Sequence, residues 1–229
     1  MMSAAVRFAG LRSWLSVHQH RWQVMAAAIG LVTLPVFFQA PLVRTFPWLS
    51  LFMTPVLLAA GIALERTSKH KLWGDLLVGF TWSWLAGTLY WGWLRWEPIV
   101  HMPVEAICLP IVALCLRKNW CRIGSYFYLG SLLGTAITDL YINWMGLFPA
   151  WRQLMVAQPD AVSLILRNAA DSLQTDFGAC RAMVLMLFLL LAGLIPLATY
   201  RHLSWWAFSG ALLSTLVVDG LFFVSACLA

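Results

Sequence analysis

Seven apolar runs, separated by polar connections, constrain the fold of this chain more than any other feature of its sequence. A helix needs roughly 20 consecutive apolar residues to cross the hydrocarbon core of a bilayer. The second and sixth runs are short, and if one is a re-entrant segment, six spans remain. The sequence therefore predicts an all-α fold, a polytopic membrane bundle of about seven transmembrane helices plus amphipathic surface helices. The runs cover residues 22–42, 48–64, 72–94, 98–116, 123–148, 183–200 and 203–228.

The scarcity of charge supports a membrane environment. Only 10% of the 229 residues are charged, whereas a soluble domain carries charges at about a quarter of its positions. We therefore expect the lipid bilayer to be the main partner of the protein. Its net charge of +6 is spread over short connections and not gathered in a basic module with interleaved aromatic residues, so we expect no nucleic-acid partner.

The distribution of Lys and Arg predicts the orientation. If the chain has seven spans and a cytoplasmic N-terminus, most of its fifteen Lys and Arg residues lie on the inner side, as the positive-inside rule requires. The inner set is Arg7, Arg12, Arg21, Arg66, Lys69, Lys71, Arg117, Lys118, Arg122 and Arg201, and the outer set is Arg44, Arg95, Arg152, Arg167 and Arg181.

Two regions flank or interrupt the predicted spans. Residues 1–21 form a basic amphipathic segment that we expect on the inner surface, and residues 22–229 form a single bundle. The outer connection at residues 149–181 repeats apolar residues at helical spacing, which predicts an interfacial helix that roofs the bundle. Long ordered connections are often functional, although this one could also serve only as an anchor.

Several polar residues fall at a similar depth in the outer half of the predicted bundle. Asp139 and Asp219 lie equally far from the inner starts of their runs, roughly 24 Å up a ~30 Å core at ~1.5 Å per residue. Glu105 lies roughly 10 Å below the outer edge by the same rise. Charges near the centre of a membrane helix cost at least ~2.5 kcal/mol and are functional candidates by default. The predicted ligand- or ion-binding set is His101, Glu105, Asp139, Asp219, Glu97, Arg95 and Asn143.

The chemistry of this set stays open at the level of sequence. His101 and Glu105 are four residues apart and project from one helix face, where they can ligate a metal, relay a proton, hold a haem or pigment, or simply satisfy each other. A zinc site usually needs three protein ligands, and no second His lies near this depth. Asp139 and Asp219 could share a proton, join two helices, or act as a counter-ion for Arg95.

Small residues and cysteines suggest further contacts. Stripes at four-residue spacing predict close helix packing in lipid; their members are Gly79, Ser83, Gly87, Gly130 and Gly134. Cys180 and Cys227 fall at the outer edge and could form a disulfide if that side is oxidising. Asp75, at the inner end of its run, is expected in a solvated loop.

The tryptophan-rich run WSWLAGTLYWGWLRWEP at residues 82–98 divides into two parts. Trp91, Trp93 and Trp96 fall at the outer interface, where amphipathic rings form a belt. Trp82 and Trp84 lie at mid-membrane depth and flank Ser83, so we expect them to pack beside a close helix contact.

The chain resembles a family of cyanobacterial integral membrane proteins without an assigned activity. The resemblance covers roughly residues 30–220 and lies in the tryptophan-rich run, in GDLL at 74–77, HMPVEA at 101–106, YLGSLLGTA at 128–136 and TDLY at 138–141. It implies a location in a cyanobacterial plasma or thylakoid membrane and a link to photosynthesis, and it supplies no catalytic residues.

Three functions compete on this evidence. The leading hypothesis is a protein that binds or transports an ion, proton or small ligand through the outer polar cluster. The alternative is a non-catalytic accessory or assembly factor that binds the subunits of a photosynthetic membrane complex. A membrane enzyme acting on a lipid or isoprenoid is third, because the chain lacks the GxGD and GxSG patterns of intramembrane proteases and no other motif selects a reaction.

Overall fold

The fold is a bundle of helices. The computed structural model describes residues 2–228, with the side chains of residues 20–228. Every regular element in that part is helical, which confirms the all-α prediction. The helices are α1 Met2–Thr45, α2 Pro47–Glu65, α3 Lys71–Leu89, α4 His101–Glu105, α5 Leu109–Arg117, α6 Arg122–Trp144, α7 Phe148–Val156, α8 Pro159–Leu173, α9 Asp176–Thr199 and α10 Leu203–Leu228. A π-helical turn, Tyr90–Leu94, extends α3, and the 3₁₀ turns Pro98–Val100 and Ala106–Cys108 flank α4.

Five segments within the described chain are long and apolar enough to cross a membrane, and they mark the chain as an integral membrane protein. They are His20–Thr45, Pro47–Glu65, Pro98–Arg117, Asp176–Thr199 and Leu203–Leu228. Two predicted spans, α3 and α6, are not among them. Both lie inside the bundle: α3 packs against α2 and α6, and α6 packs against α3 and α10. Because neighbouring helices cover them, they can carry more polar and aromatic residues than a lipid-facing helix.

An apolar core fills the end of the bundle where α3, α6 and α10 begin. It joins four helices, α1, α3, α6 and α10, and its buried members are Val24, Ala28, Leu76, Phe80, Phe127, Trp206, Ala207 and Ala211. Side chains that are withdrawn from both water and lipid here gain from close packing, because dispersion contacts add up over many atom pairs. This end of the bundle is therefore closed.

The junction of α3 with α6 depends on one carboxylate and two glycines. Asp75 is buried, and its Oδ1 accepts from the backbone N–H of Gly124 at 2.7 Å while its Oδ2 accepts from Ile123 at 3.3 Å. These amides belong to the first turn of α6, which has no partners of its own for them. The prediction of a solvated Asp75 was therefore wrong, since the residue caps a neighbouring helix. A Cβ on Gly79 would collide with the Gly124 backbone.

The other predicted small residues also lie between helices. A Cβ on Gly130 would meet the carbonyl of Phe208, and one on Gly134 would meet the hydroxyl of Thr215, both on α10. A Cβ on Gly87 would lie 3.2 Å from the side-chain amide oxygen of Gln39. The Ser83 hydroxyl is buried without a hydrogen-bond partner among residues 20–228.

A polar network ties α1 and α2 to α3. The Gln39 amide donates to the Trp84 carbonyl at 2.7 Å and to the Thr88 hydroxyl at 3.0 Å. The Ser50 hydroxyl lies 2.8 Å from that of Thr88, and the Trp84 indole donates to the Ser50 carbonyl at 3.0 Å. Trp84 therefore finds its hydrogen-bond partner on α2.

The connection after α6 contains two helices, α7 and α8, where the sequence predicted one interfacial helix. The α8 helix matches that prediction in position, whereas α7 was not expected. Thr175 caps α9 by accepting from the Gly178 N–H at 3.1 Å. The apolar side chains of the predicted segment 1–21 lie outside the described side chains.

Candidate functional site

His101 lies between two carboxylates from different helices. Its Nδ1 is 2.9 Å from Asp139 Oδ1 on α6, and its Nε2 is 3.7 Å from Glu105 Oε1, one turn further along α4. The three side chains are mostly shielded, with exposed fractions of 12%, 16% and 13% for His101, Asp139 and Glu105. We call these three residues the His101 cluster. It brings together three of the five acidic and histidine residues in the predicted binding set.

Aromatic rings surround the imidazole of His101. The ring of Tyr90, which is fully buried, stacks on it with a centroid separation of 4.0 Å. Trp91 and Trp151 lie at 6.4 and 6.3 Å from the same ring, and 5.9 Å from each other. Trp91 therefore contributes to this site, and its place in a lipid-interface belt stays a prediction. Electron-rich ring faces can stabilise a nearby cation, and three aromatic rings lie around this imidazole.

The π-helical turn at Tyr90–Leu94 positions two of these rings. A π turn adds one residue to a helical turn and often occurs at functional sites. Tyr90 begins this turn, and its hydroxyl donates to the Arg95 carbonyl at 3.4 Å. Tyr90 and Trp91, consecutive residues of this turn, both place their rings against His101.

Helix α7, in the connection after α6, covers the site. The Trp151 indole donates to the Arg95 carbonyl at 2.8 Å, next to its ring contact with His101. Arg152 donates to Glu97 Oε1 at 2.8 Å on the exposed side of the same helix. Hydrogen bonding from Arg152, and then from the amide of Ile99, holds the pKa of Glu97 below its ordinary value. Two adjacent residues of α7 therefore fasten it to the segment that precedes α4.

Asp219 joins the site indirectly. Thr138 donates to Asp219 Oδ2 at 2.7 Å, which links α6 to α10 one residue before Asp139. The second carboxylate oxygen of Asp139, Oδ2, is buried and has no hydrogen-bond partner within the described chain. Asp139 and Asp219 are close enough for their charges to interact. Tyr128 holds the end of α4 against α6, because its hydroxyl donates to the Glu105 carbonyl at 2.6 Å.

The remaining predicted site residues lie apart from the His101 cluster. Glu97 pairs with Arg152 at the surface. The Arg95 guanidinium donates to the Trp91 carbonyl at 3.2 Å and lies over the Trp96 ring, so it is not the counter-ion of either aspartate. Asn143 is exposed, one turn beyond Asp139.

Cys180 and Cys227 are exposed and free in this structure. Cys227 Sγ lies 3.8 Å from the Gln174 amide, at the end of α8. Arg181, next to Cys180, donates to the Trp144 carbonyl at 2.7 Å at the end of α6. Both thiols thus lie at the end of the bundle where α6, α8 and α10 finish, and a disulfide between them stays a prediction.

The donor arrangement around His101 does not fit a haem iron or a pigment magnesium. Such a metal needs one ring nitrogen that is directed into open space, whereas each nitrogen of His101 faces a carboxylate. Among the described residues, no group of three or more His, Cys, Asp or Glu side chains has an arrangement that could hold a metal ion.

Sequence reasoning missed the contribution of Tyr90 and Trp151. Tyr90 lies inside the tryptophan-rich run, whose aromatic density was a usable signal. Trp151 gives no such signal, because its role depends on how α7 folds back over α4.

Comparison with known proteins identifies the family of the chain, and the function of that family is unknown. The family model described as "Protein of unknown function (DUF3120)" matches residues 28–227. No curated protein and no solved structure matches the chain.

Proposed function

Since the chain belongs to the DUF3120 family of proteins of unknown function, we propose its function from the site alone: it binds and releases protons at the His101 cluster. The observation that carries the proposal is His101 held between Asp139 and Glu105. A histidine is the side chain whose charge changes most readily near neutral pH. With a carboxylate beside each ring nitrogen, a proton taken up here is shared by groups on two helices.

The position of the His101 cluster in the bundle supports proton binding at this site and not the conduction of protons through the bundle. The His101 cluster lies near the end where α6 finishes, whereas the opposite end is filled by the apolar core around Phe127 and Ala211. Protons would therefore enter and leave from one side. Asp219, linked through Thr138, is a second carboxylate within reach of Asp139.

Protonation also has a mechanical consequence in this proposal. His101 is on α4 and Asp139 is on α6, so the charge of the pair determines how tightly these helices attract each other. Loss of the proton leaves a neutral imidazole between two carboxylates that repel. We propose that the protein couples this change in attraction to the binding of a partner or small ligand under the α7 cover.

The topology we propose has seven spans, with the N-terminus in the cytoplasm. Helix α6 has 23 residues and α3 has 19 before its π turn, lengths close to the roughly 20 residues that a span requires. The earlier resemblance supports a cyanobacterial plasma or thylakoid membrane as the location. Under this topology the His101 cluster opens to the outer side.

Titration of His101 tests the proposal directly. The purified protein, labelled with ¹⁵N-histidine, is followed by NMR from pH 5 to pH 9, and His101→Gln identifies the resonance. We expect His101 to change its protonation state in this range, and Asp139→Asn to move its midpoint by about one pH unit or more. Glu97→Gln is the matched control, since this carboxylate is exposed and pairs with Arg152.

Two results would contradict proton binding. One is a His101 resonance that keeps one protonation state across the range in the folded wild-type protein. The other is an equal midpoint shift in the Asp139→Asn and Glu97→Gln variants, which would make the response a general charge effect. Circular dichroism shows whether each variant retains its helices.

A further inference from the structure

A pocket lies at the opposite end of the bundle from the His101 cluster. It forms where α2 ends and α3 begins, beside the connection from α5 to α6, and has a volume of about 330 Å³. We call it the α2–α3 pocket; its lining residues are Ile62, Glu65, Arg66, Lys71 and Trp120. We propose that it binds the headgroup of an anionic phospholipid, with Arg66 and Lys71 holding the phosphodiester.

The two cations of the pocket are available for a ligand. Arg66 follows the last residue of α2 and Lys71 is the first residue of α3, and both are exposed. Neither forms an ion pair with another side chain among residues 20–228. An arginine and a lysine that converge on one pocket are the usual partners of a phosphate group.

The acidic residue of the pocket is already engaged on one side. Glu65 Oε2 accepts from the Trp120 indole at 2.9 Å and from the Cys121 thiol at 3.5 Å. These bonds hold the carboxylate against the α5–α6 connection. Its other oxygen has no hydrogen-bond partner within the described side chains, so it can accept from a hydroxyl.

The balance of charge matches a singly charged phosphodiester. Arg66 and Lys71 oppose Glu65, which leaves the pocket with a formal excess of one positive charge. A phosphodiester carries one negative charge, and a glycerol headgroup adds hydroxyls for the free oxygen of Glu65. A zwitterionic choline headgroup would instead bring a second cation beside Arg66 and Lys71.

The position of the pocket favours a lipid over a soluble phosphate ester. Ile62 and Trp120 give it an apolar wall at the ends of membrane-length helices, and tryptophan is enriched at the headgroup level of bilayers. Further cations on this face, including Lys69 and Lys118, attract anionic lipids without lining the pocket. The inference is independent of proton binding at His101.

Native mass spectrometry of the purified full-length chain tests the lipid site. The protein in detergent receives either phosphatidylglycerol or phosphatidylcholine, and the bound lipid is counted. We expect phosphatidylglycerol to bind at least about tenfold more tightly than phosphatidylcholine. The double variant Arg66→Gln, Lys71→Gln should lose about tenfold in phosphatidylglycerol affinity, whereas Lys69→Gln, Lys118→Gln removes the same charge from the same face and should change it less than about threefold.

Each opposing outcome overturns the assignment. Equal losses in the two double variants would show that the general charge of this face attracts the lipid, without a built site. Displacement of bound phosphatidylglycerol by millimolar free glycerol phosphate would assign the pocket to a soluble phosphate ester. Equal affinity of the wild-type protein for the two lipids would show that the net charge of the headgroup does not determine binding.

Discussion

At the scale of single residues, the Thr138 hydroxyl donates a hydrogen bond to another helix, whereas the hydroxyl of nearby Thr135 donates within its own helix. Two threonines on α6 lie about one turn apart: Thr135 donates to the carbonyl of Ser131 in its own helix at 3.2 Å, and Thr138 donates across to Asp219 on α10 at 2.7 Å. A bond within one helix is partly redundant with the backbone ladder. The bond to Asp219 satisfies a charge-bearing group that would otherwise face low dielectric.

This contrast gives a prediction with an internal control. Thr138→Val removes the donor with little change in volume and leaves Asp219 without its partner, so we expect a loss of about 1–3 kcal/mol in unfolding free energy. Thr135→Val should cost less than about 0.5 kcal/mol. Thermal unfolding of the purified protein in one detergent measures both, and equal losses for the two variants would show that the link between α6 and α10 contributes nothing specific.

At the scale of elements, the attachment of α7 to the segment before α4 determines whether solvent or a ligand can reach His101. The helix has nine residues, too few to be stable in isolation, so its position depends on tertiary contacts. The Trp151 indole and the Arg152 guanidinium supply two of them, through the Arg95 carbonyl and the Glu97 carboxylate. The contact of the Trp151 indole does not depend on pH, whereas the contact of Arg152 depends on the charge of the Glu97 carboxylate.

The attachment of α7 should therefore weaken in acid. Because the pKa of Glu97 is lower in the folded protein, the Arg152 contact stabilises α7 at every pH above the ordinary carboxylate pKa of 4.5 and is lost as the pH falls through the lowered value. We expect hydrogen exchange in residues 148–156 to accelerate between about pH 5 and pH 3, relative to the intrinsic exchange rate.

Two variants decide whether Glu97 causes this response. Glu97→Gln should exchange quickly at all these pH values, with no acid-dependent step. Asp160→Asn removes an exposed carboxylate from the next helix and should leave the wild-type response intact. An acid-dependent step that persists in Glu97→Gln would place its origin elsewhere.

At the scale of the whole molecule, the order of helices along the chain has a simple consequence for access. If seven helices cross the membrane in alternation from a cytoplasmic N-terminus, Cys180 near the start of α9 and Cys227 near the end of α10 lie on the same outer face. Both are exposed, whereas Cys108, Cys115 and Cys121 are buried. The native cysteines therefore report the topology without any added tag.

We predict that a membrane-impermeant maleimide labels intact cells or right-side-out vesicles at Cys180 and Cys227 only. The double variant Cys180→Ser, Cys227→Ser should not be labelled. If labelling requires permeabilised membranes, the orientation is inverted, and if only one of the two cysteines reacts, the number of spans between them is not two. Prior reduction also tests the predicted disulfide, because a formed bond would block both thiols until reductant is added.

The sequence predicted the helices and part of the site well, for physical reasons that also explain its failures. Apolar run lengths follow from bilayer thickness, and depth follows from the constant rise per residue, so His101, Glu105 and Asp139 could be placed together. Rotation of one helix about its axis relative to another is not encoded in local spacing. That is why the capping role of Asp75 and the ring of Trp151 over His101 became visible only in the structure.

The central position of α3 and α6, two long helices that are not among the five apolar segments, has a consequence for synthesis. Helix α3 emerges directly after α2, against which it packs, and so finds its cover at once. Helix α6 ends at Trp144, but its principal neighbour α10 begins only at Leu203. At roughly 5–20 residues per second, the ribosome takes several seconds to make the intervening chain. During that interval α6, with Asp139 on it, lacks the α10 surface that later covers it.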